Sequence, residues 1–345
     1  VLTIDKLYDK AKLALTRRDF MAGAGAAVAA TTLAGCSDNA PTVTPATQTY
    51  YGDADILNYA LNLEYAEAEF YLRAATGSGL ASGDITAGSA SSYQTVGAVT
   101  TSVTINNVVT PYVMQLPTTG PNALTTAQFQ IVNEIAFEEQ QHVKFLRAAL
   151  GSAAVPRPAL DLTFFGTLAM VAGITTVAYG SGGFTPYDSF NDFLVGSFVF
   201  EDVGVTAYSG AAPLISAAGV ASGYLTAAAG ILAVEAYHAA YVRTALTGIS
   251  IANSSNALLA VANKVEALRQ TLTVGSSGSV ETALVLPTTS STPSAIVAAS
   301  VSGAVGFART PNQVHHIVYG NPAVGAKSGG FFPNGTNSVF ATTTA

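Results

Sequence analysis

Four stretches of the chain carry an apolar stripe at helical spacing, and each stripe is broken near its middle by a glutamate. Leu57, Leu61, Glu64, Ala68, Tyr71 and Ala75 recur at steps of four and three, so Glu64 shares the face of its apolar neighbours. The same holds for Ile131, Ile135, Glu139, His142 and Leu146, for Leu194, Phe198, Glu201, Val205 and Tyr208, and for Ile231, Glu235, His238 and Val242. An unpaired carboxylate on a buried face costs several kcal/mol or takes up a proton. The last case is the sharpest, because no charged residue lies between Val203 and Val234 before Glu235 appears on the core side. The pattern predicts an all-α fold with helices from Asp53 to about Gly77, Thr125 to Leu150, Pro186 to Ala212 and Ala217 to Leu246.

Four carboxylates meeting in one core repel one another, and the few Lys and Arg residues are poorly placed to neutralise them. Two divalent cations would. Glu139 and His142 are three residues apart, as are Glu235 and His238, so each pair projects to one side of its helix. One Glu from each of two helices plus Glu-x-x-His from two others is the ligand arrangement of dinuclear carboxylate bundles. With 10 glutamates in 345 residues, Glu stands three before a given histidine by chance about 3% of the time, yet two of the four histidines have it. The neighbourhoods repeat as well. Glu139-x2-His142-x4-Arg147-x-Ala149-Leu150 matches Glu235-x2-His238-x4-Arg243-x-Ala245-Leu246, and Glu64-x6-Tyr71-x2-Ala74-Ala75 matches Glu201-x6-Tyr208-x2-Ala211-Ala212. Two helix pairs related by internal pseudo-symmetry would produce this.

On Leu61-Asn-Leu-Glu64-Tyr-Ala-Glu-Ala-Glu-Phe-Tyr71, Phe200-Glu201-Asp202 through Pro213, and Glu235-Ala-Tyr-His238 through Arg243, the chain resembles the ferritin-like superfamily, and within it the bacterial family related to plant desiccation-related proteins. The likeness runs from Asp53 to about Leu272, with a tail from Arg309 to Phe340. It implies a ferritin-like four-helix bundle holding two iron or two manganese ions. Glu139 and Glu235 would bridge the ions, Glu64 and Glu201 would bind terminally, and His142 and His238 would each complete one shell.

The remaining side chains have plainer expected roles. Glu67 and Glu69 belong to the solvated face of the first helix, with Glu67 as reserve ligand. Glu138, on a face with Glu134, is solvated or paired with Lys or Arg. Arg147 and Arg243 serve as helix-end charges. Tyr71 and Tyr208, two turns from their glutamates, either pack in the core with a satisfied hydroxyl or act as catalytic tyrosines, in redox chemistry or by supporting the metal ligands. His315 and His316 could be metal ligands, but the expectation is one packed ring and one loop hydrogen bond.

Between the helices, 77–124 turns to Gly, Ser, Thr and Val and alternates around Val99 to Val109, a surface insertion with a β-hairpin. The segment from Gly151 to Thr185 is the one long crossover. Its uncharged run from Leu162 to Phe184 reads as buried or loop structure, given its glycines and threonines. A fifth helix runs from about Asn253 to Leu272. The bundle domain is thus 53–275, and 276–345 is a C-terminal extension that packs on it or mediates self-association.

Residues 1–35 read as a twin-arginine signal peptide. Thr16-Arg17-Arg18-Asp19-Phe20-Met21 precedes a weakly apolar stretch and Leu33-Ala34-Gly35-Cys36, which matches a lipobox. Cleavage before Cys36 with lipidation of its thiol, or simple cleavage without lipid, would leave 36–52 as a tether. Either way the chain is exported to the periplasm or cell envelope, and in the lipidated case its contact with a membrane is through the lipid anchor alone. Cys36 is the only cysteine, which excludes an intrachain disulfide and cysteine-rich metal sites. The net charge of −7, without a basic run past residue 35, argues against nucleic-acid binding.

Two functions follow. One is a redox centre acting on O2 or peroxide as ferroxidase, peroxidase or manganese-catalase-like enzyme. The other is a non-enzymatic envelope module for stress protection, with structural metal or none.

Overall fold

A computed structural model of the chain describes residues 51–105, 107–177, 183–276, 278–285, 296–300 and 303–344. The expected signal peptide, Cys36 and most of the expected tether lie outside the described residues.

The first bundle helix, α1 (Asp53–Thr76), opens with Asp53 and Asp55 at its positive end and stops at Gly77, whose φ of 75° suits a residue without Cβ. The insertion that follows holds a hairpin of β1 (Ser102–Ile105) and β2 (Val108–Pro111), paired antiparallel from Ser102 opposite Pro111 to Ile105 opposite Val108. Thr125 caps α2 (Thr126–Leu150) by accepting from the Gln128 amide, and the Gln128 side chain returns to the Thr125 amide. The crossover contains a short helix, α3 (Phe164–Val171), where loop or buried structure was expected.

The third bundle helix, α4 (Phe190–Ala211), starts four residues later than the pattern implied, because Ser189 is the cap that accepts from the Asp192 amide. The predicted helix from Ala217 is two helices. A five-residue α5 (Ala217–Ala221) ends at Ser222-Gly223, and α6 (Tyr224–Ala252) begins after Gly223, whose φ of 86° breaks the register. By length and composition α6 could cross a membrane, yet Glu235, His238 and Arg243 on it are buried against the other helices. The outer helix α7 is Ala257–Leu272, and a short α8 (Pro311–Val318) carries His315 and His316.

The bundle is built as two antiparallel pairs. Asn58, early in α1, donates to the carbonyl of Ala153 just past α2, while Tyr65, about two turns further along α1, meets Arg147, about two turns back toward the start of α2. Across the other pair, Arg243 lies over Phe198 and Glu235 abuts Gly204. An aromatic cluster joins α1, α3, α4 and the C-terminal segment: Phe165 of α3 and Phe200 of α4 each pack edgewise or tilted on Phe331 at 4.8 Å, and Phe70 of α1 joins at 5.1 Å from Phe165.

The C-terminal segment is fastened to the bundle by buried charge. Asp202 of α4 accepts from Arg243 of α6 (2.9 and 2.7 Å) and from Arg269 of α7 (2.7 Å). Arg269 continues to Glu281 (2.7 Å), which also accepts from Arg309. Arg309 in turn reaches Thr206 and Thr273. Arg243 is therefore no helix-end charge but a buried partner of Asp202. Arg147 does stand in the last turn of α2, as expected of a helix-end charge, and in addition donates to the Tyr65 hydroxyl (2.6 Å) and to the Thr86 carbonyl (2.7 Å). Tyr65 and Asp202 each follow the helix glutamate of their repeat, so the two arginines make the same pseudo-symmetric contact with different chemistry.

Candidate metal centre

The bundle brings Glu64, Glu139, His142, Glu201, Glu235 and His238 together at its centre. The four carboxylates are 0–1% exposed, His142 7% and His238 5%. Ligand atoms of Glu64, Glu139, His142 and Glu235 lie within 4.8 Å of one another, and so do those of Glu139, Glu201 and His238. The His142 Nδ1 stands 3.2 Å from Glu64, 3.4 Å from Glu139 and 3.5 Å from Glu235. The His238 Nδ1 stands 3.0 Å from Glu139 and 3.5 Å from Glu201. Glu139 belongs to both groups. Glu235, expected to bridge as well, belongs to the His142 group alone, with its Oε2 turned against Gly204.

A metal fits this donor set. Eight buried atoms of the six residues have no aligned hydrogen-bond partner: Glu64 Oε2, both oxygens of Glu139 and of Glu235, Glu201 Oε2, and the Nδ1 of each histidine. Native interiors rarely leave such atoms unmatched, and here they converge on two points. Without a cation, protons take over the charge balance. Burial, above all, and then its carboxylate neighbours push Glu235 well above the usual carboxylate range. Burial likewise raises Glu64 to about 7 and raises Glu201, with His142 and His238 opposing. For Glu139 burial is outweighed by contact with both imidazoles, which brings it to about 2. Burial works against a proton on His238, but the charge of Glu201 and contact with Glu139 lift it to about 12, and His142 is raised in the same way by Glu64.

The groups behind the donors explain their posture. The Tyr71 hydroxyl of α1 donates to Glu201 of α4, and the Tyr208 hydroxyl of α4 donates to Glu64 of α1. Each tyrosine thus serves the glutamate of the opposite helix, not the one two turns away on its own. Burial, reinforced by the adjacent carboxylates, raises both tyrosines well above the usual range, so they remain donors. Glu138, expected to be solvated or paired with Lys or Arg, instead lies 2.6 Å from His238 Nε2. A carboxylate on the far nitrogen fixes the ring and leaves Nδ1 free to face the centre.

Two further expectations are corrected. Glu67 and Glu69 do not lie on a solvated face: every residue from Ile56 to Tyr71 is buried, because the crossover, the insertion and the C-terminal segment cover the side of α1 that a bare bundle would expose. Glu69 is neutralised by Arg73 (2.9 Å) and Arg157. Glu67 sits beside the cluster but in neither donor group, held well above the usual range by burial and then by Glu235 and Glu139. His315 and His316 lie away from the centre, on a helix and not in a loop. His315 Nε2 meets the Thr336 hydroxyl at 3.0 Å, and His316 contacts the carbonyls of Asn321 and Thr344.

Sequence reasoning missed Gly204. A Cβ there would lie 2.1 Å from Glu235 Oε2 and 3.3 Å from Glu67 Oε1, so the missing side chain makes room for the Glu235 carboxylate. The signal was present, since the repeat places Gly204 opposite Glu67, three residues after each helix glutamate.

A family model described as "Ferritin-like domain" matches residues 52–248. Over 310 residues the chain is 26% identical to "Ferritin-like catalase Nec2" of Nesocodon mauritianus, covering 84% of this chain and 85% of that protein. Over 233 residues it is 27% identical to "Desiccation-related protein PCC13-62" of Craterostigma plantagineum, covering 62% of each. No solved structure matches the chain.

Proposed function

The chain belongs to the ferritin-like domain family, and from that premise we propose that it binds two iron or two manganese ions and uses them in O2- or peroxide-linked oxidation chemistry. The observation that carries the proposal is the set of eight unmatched donor atoms in two groups joined by Glu139. Glu64, Glu139, His142 and Glu235 would hold one ion, and Glu139, Glu201 and His238 the other. Four carboxylates and two divalent ions sum to zero charge, which removes the need for buried protons. Bound there, the pair would supply electrons for reducing O2, or would take two electrons from one peroxide and return them to a second, so that disproportionation needs no outside reductant.

The protein's own groups set the conditions for that chemistry. The bundle excludes bulk water from six donors and fixes their directions before any ion arrives. Tyr71 and Tyr208 hold Glu201 and Glu64 by one oxygen each, which leaves Oε2 of both free for an ion. Glu138 keeps the His238 ring turned so that Nδ1 faces inward. The similarity to a protein named as a catalase supports peroxide as the substrate. The similarity to a protein named as desiccation-related supports the second reading, a stress-protection module whose metal is structural.

Peroxide and O2 consumption by protein purified without chelator distinguishes the two. Turnover that scales with bound metal supports the enzyme, and full metal content without turnover supports the module. Export through the twin-arginine route with lipid on Cys36 is part of the same proposal and rests on Arg17, Arg18 and the lipobox spacing. Mass spectrometry of the mature N-terminus tests it.

A further inference from the structure

The pseudo-symmetry of the six donors stops one residue away from them, and the break defines a way in. Glu138, preceding Glu139, contacts His238. Its counterpart before Glu235 is Val234, which has no charge to offer His142. A cleft of about 300 Å³ opens at this point between α2 and α6, lined by Ile131, Glu134, Glu138, Tyr237, His238 and Tyr241 among others. His238 lines the cleft and His142 does not. The ring of His238 is also the inner wall: Nε2 faces Glu138, while Nδ1 lies 3.0 Å from Glu139 at the centre. One imidazole therefore separates the cleft from the unmatched donors.

We propose that the cleft between α2 and α6 is the entrance through which divalent cations load, and that they reach the Glu139, Glu201 and His238 group first. The proposal rests on the dinuclear reading above. Two carboxylates, Glu134 and Glu138, stand in the cleft, and no Lys or Arg is among its lining residues. A concave wall bearing one sign of charge concentrates the opposite ion and speeds its arrival. Glu138 is the last carboxylate before the histidine, so an incoming cation is handed from a half-exposed oxygen to a buried nitrogen. Ile131 and the two tyrosines, Tyr237 and Tyr241, flank the path. The Glu64, Glu139, His142 and Glu235 group has no residue on the cleft wall and fills through the first, with Glu139 common to both.

The test is the rate at which metal-free protein takes up cobalt(II), followed by stopped-flow absorbance, with final stoichiometry measured separately. Ile131→Trp, which corks the cleft, should slow uptake severalfold while the final content equals that of the wild type. Glu134→Lys, an exposed change that leaves every donor in place, should slow uptake about tenfold at low salt and invert its salt dependence. Circular dichroism confirms the fold of each variant, and Glu134→Lys alone decides the matter if Ile131→Trp does not fold. Wild-type rates in Glu134→Lys, with wild-type salt dependence, overturn the entrance and leave the centre standing. A wild-type protein that takes up no cobalt overturns the centre, and the entrance with it.

Discussion

Tyr71 on α1 and Glu201 on α4, 130 residues apart in sequence, are joined by a buried hydrogen bond, and Tyr208 on α4 returns the same bond to Glu64 on α1. The tyrosines therefore tie the two helix pairs together through the proposed metal ligands themselves. Tyr71→Phe should weaken the ion at the His238 side by about tenfold or more, and Tyr208→Phe the ion at the His142 side, as removal of a ligand's supporting hydrogen bond does elsewhere. Isothermal titration with manganese(II) resolves the two sites. Equal weakening of both sites by either variant would show that the tyrosines act on the fold and not on one ligand.

Glu139 and Glu235 occupy matching places in the repeat but not in the geometry. Glu139 reaches both donor groups and Glu235 only one. Glu139→Gln should reduce metal content toward zero per chain, whereas Glu235→Gln should retain the ion at the His238 side. Elemental analysis of the two folded variants checks this, and equal losses would restore the symmetrical bridge.

Gly204→Ala sets helix propensity against the site. Ala is favoured over Gly inside a helix by roughly 1 kcal/mol, yet the added Cβ would meet Glu235 Oε2. The variant should lose affinity at the His142 side without becoming less stable when metal-free. Gly230→Ala on α6, where a Cβ meets nothing within 4 Å, is the control and should gain stability with metal binding unchanged. Thermal melts with and without manganese separate the effects.

The repeated stripe made the six donors and the four helices legible, because a glutamate on a core face is visible from period alone. Helix ends were legible where local chemistry marked them, at Thr125 and Gly77, and blurred where a break was short, as at Gly223. The burial of Glu67 and Glu69 was not legible. It depends on what covers α1, and the covering segments have no period that announces where they pack. The partners of Glu138 and Asp202 were hidden for the same reason: a charge reads as solvated until a residue a hundred or forty positions away is known to face it.

Titration gives a prediction with a definite sign. Glu64 at about 7, against an ordinary 4.5, and His238 at about 12, against 6.5, are both raised in the metal-free fold. Each contributes stability that is full below its unfolded pKa and is lost as pH rises through its folded pKa. Glu139, lowered to about 2, contributes above 4.5 and loses that contribution only as pH falls through about 2. Metal-free protein should therefore lose stability from these groups as pH climbs from about 5 to about 9, while metal binding, which needs the donors deprotonated, tightens. The gap in Tm between loaded and metal-free protein should widen with pH. A gap that narrows would contradict the assignment of protons to the empty donor set.

The buried charges that fasten the C-terminal segment should be costly to break singly. Asp202→Asn leaves Arg243 and Arg269 facing a neutral amide, and a loss of about 3–5 kcal/mol is expected. Urea denaturation measures it. A loss below about 1 kcal/mol, the level of a surface ion pair, would mean that the network adds little to docking.

The most direct test of the central claim is metal content per folded chain, with the element identified, in protein purified without chelator and again after reconstitution with manganese(II) or iron(II). Two ions per wild-type chain are expected, with none in a variant that replaces Glu139 and His238 together. A wild-type chain that is folded and holds no divalent metal under either condition would contradict the account at its root.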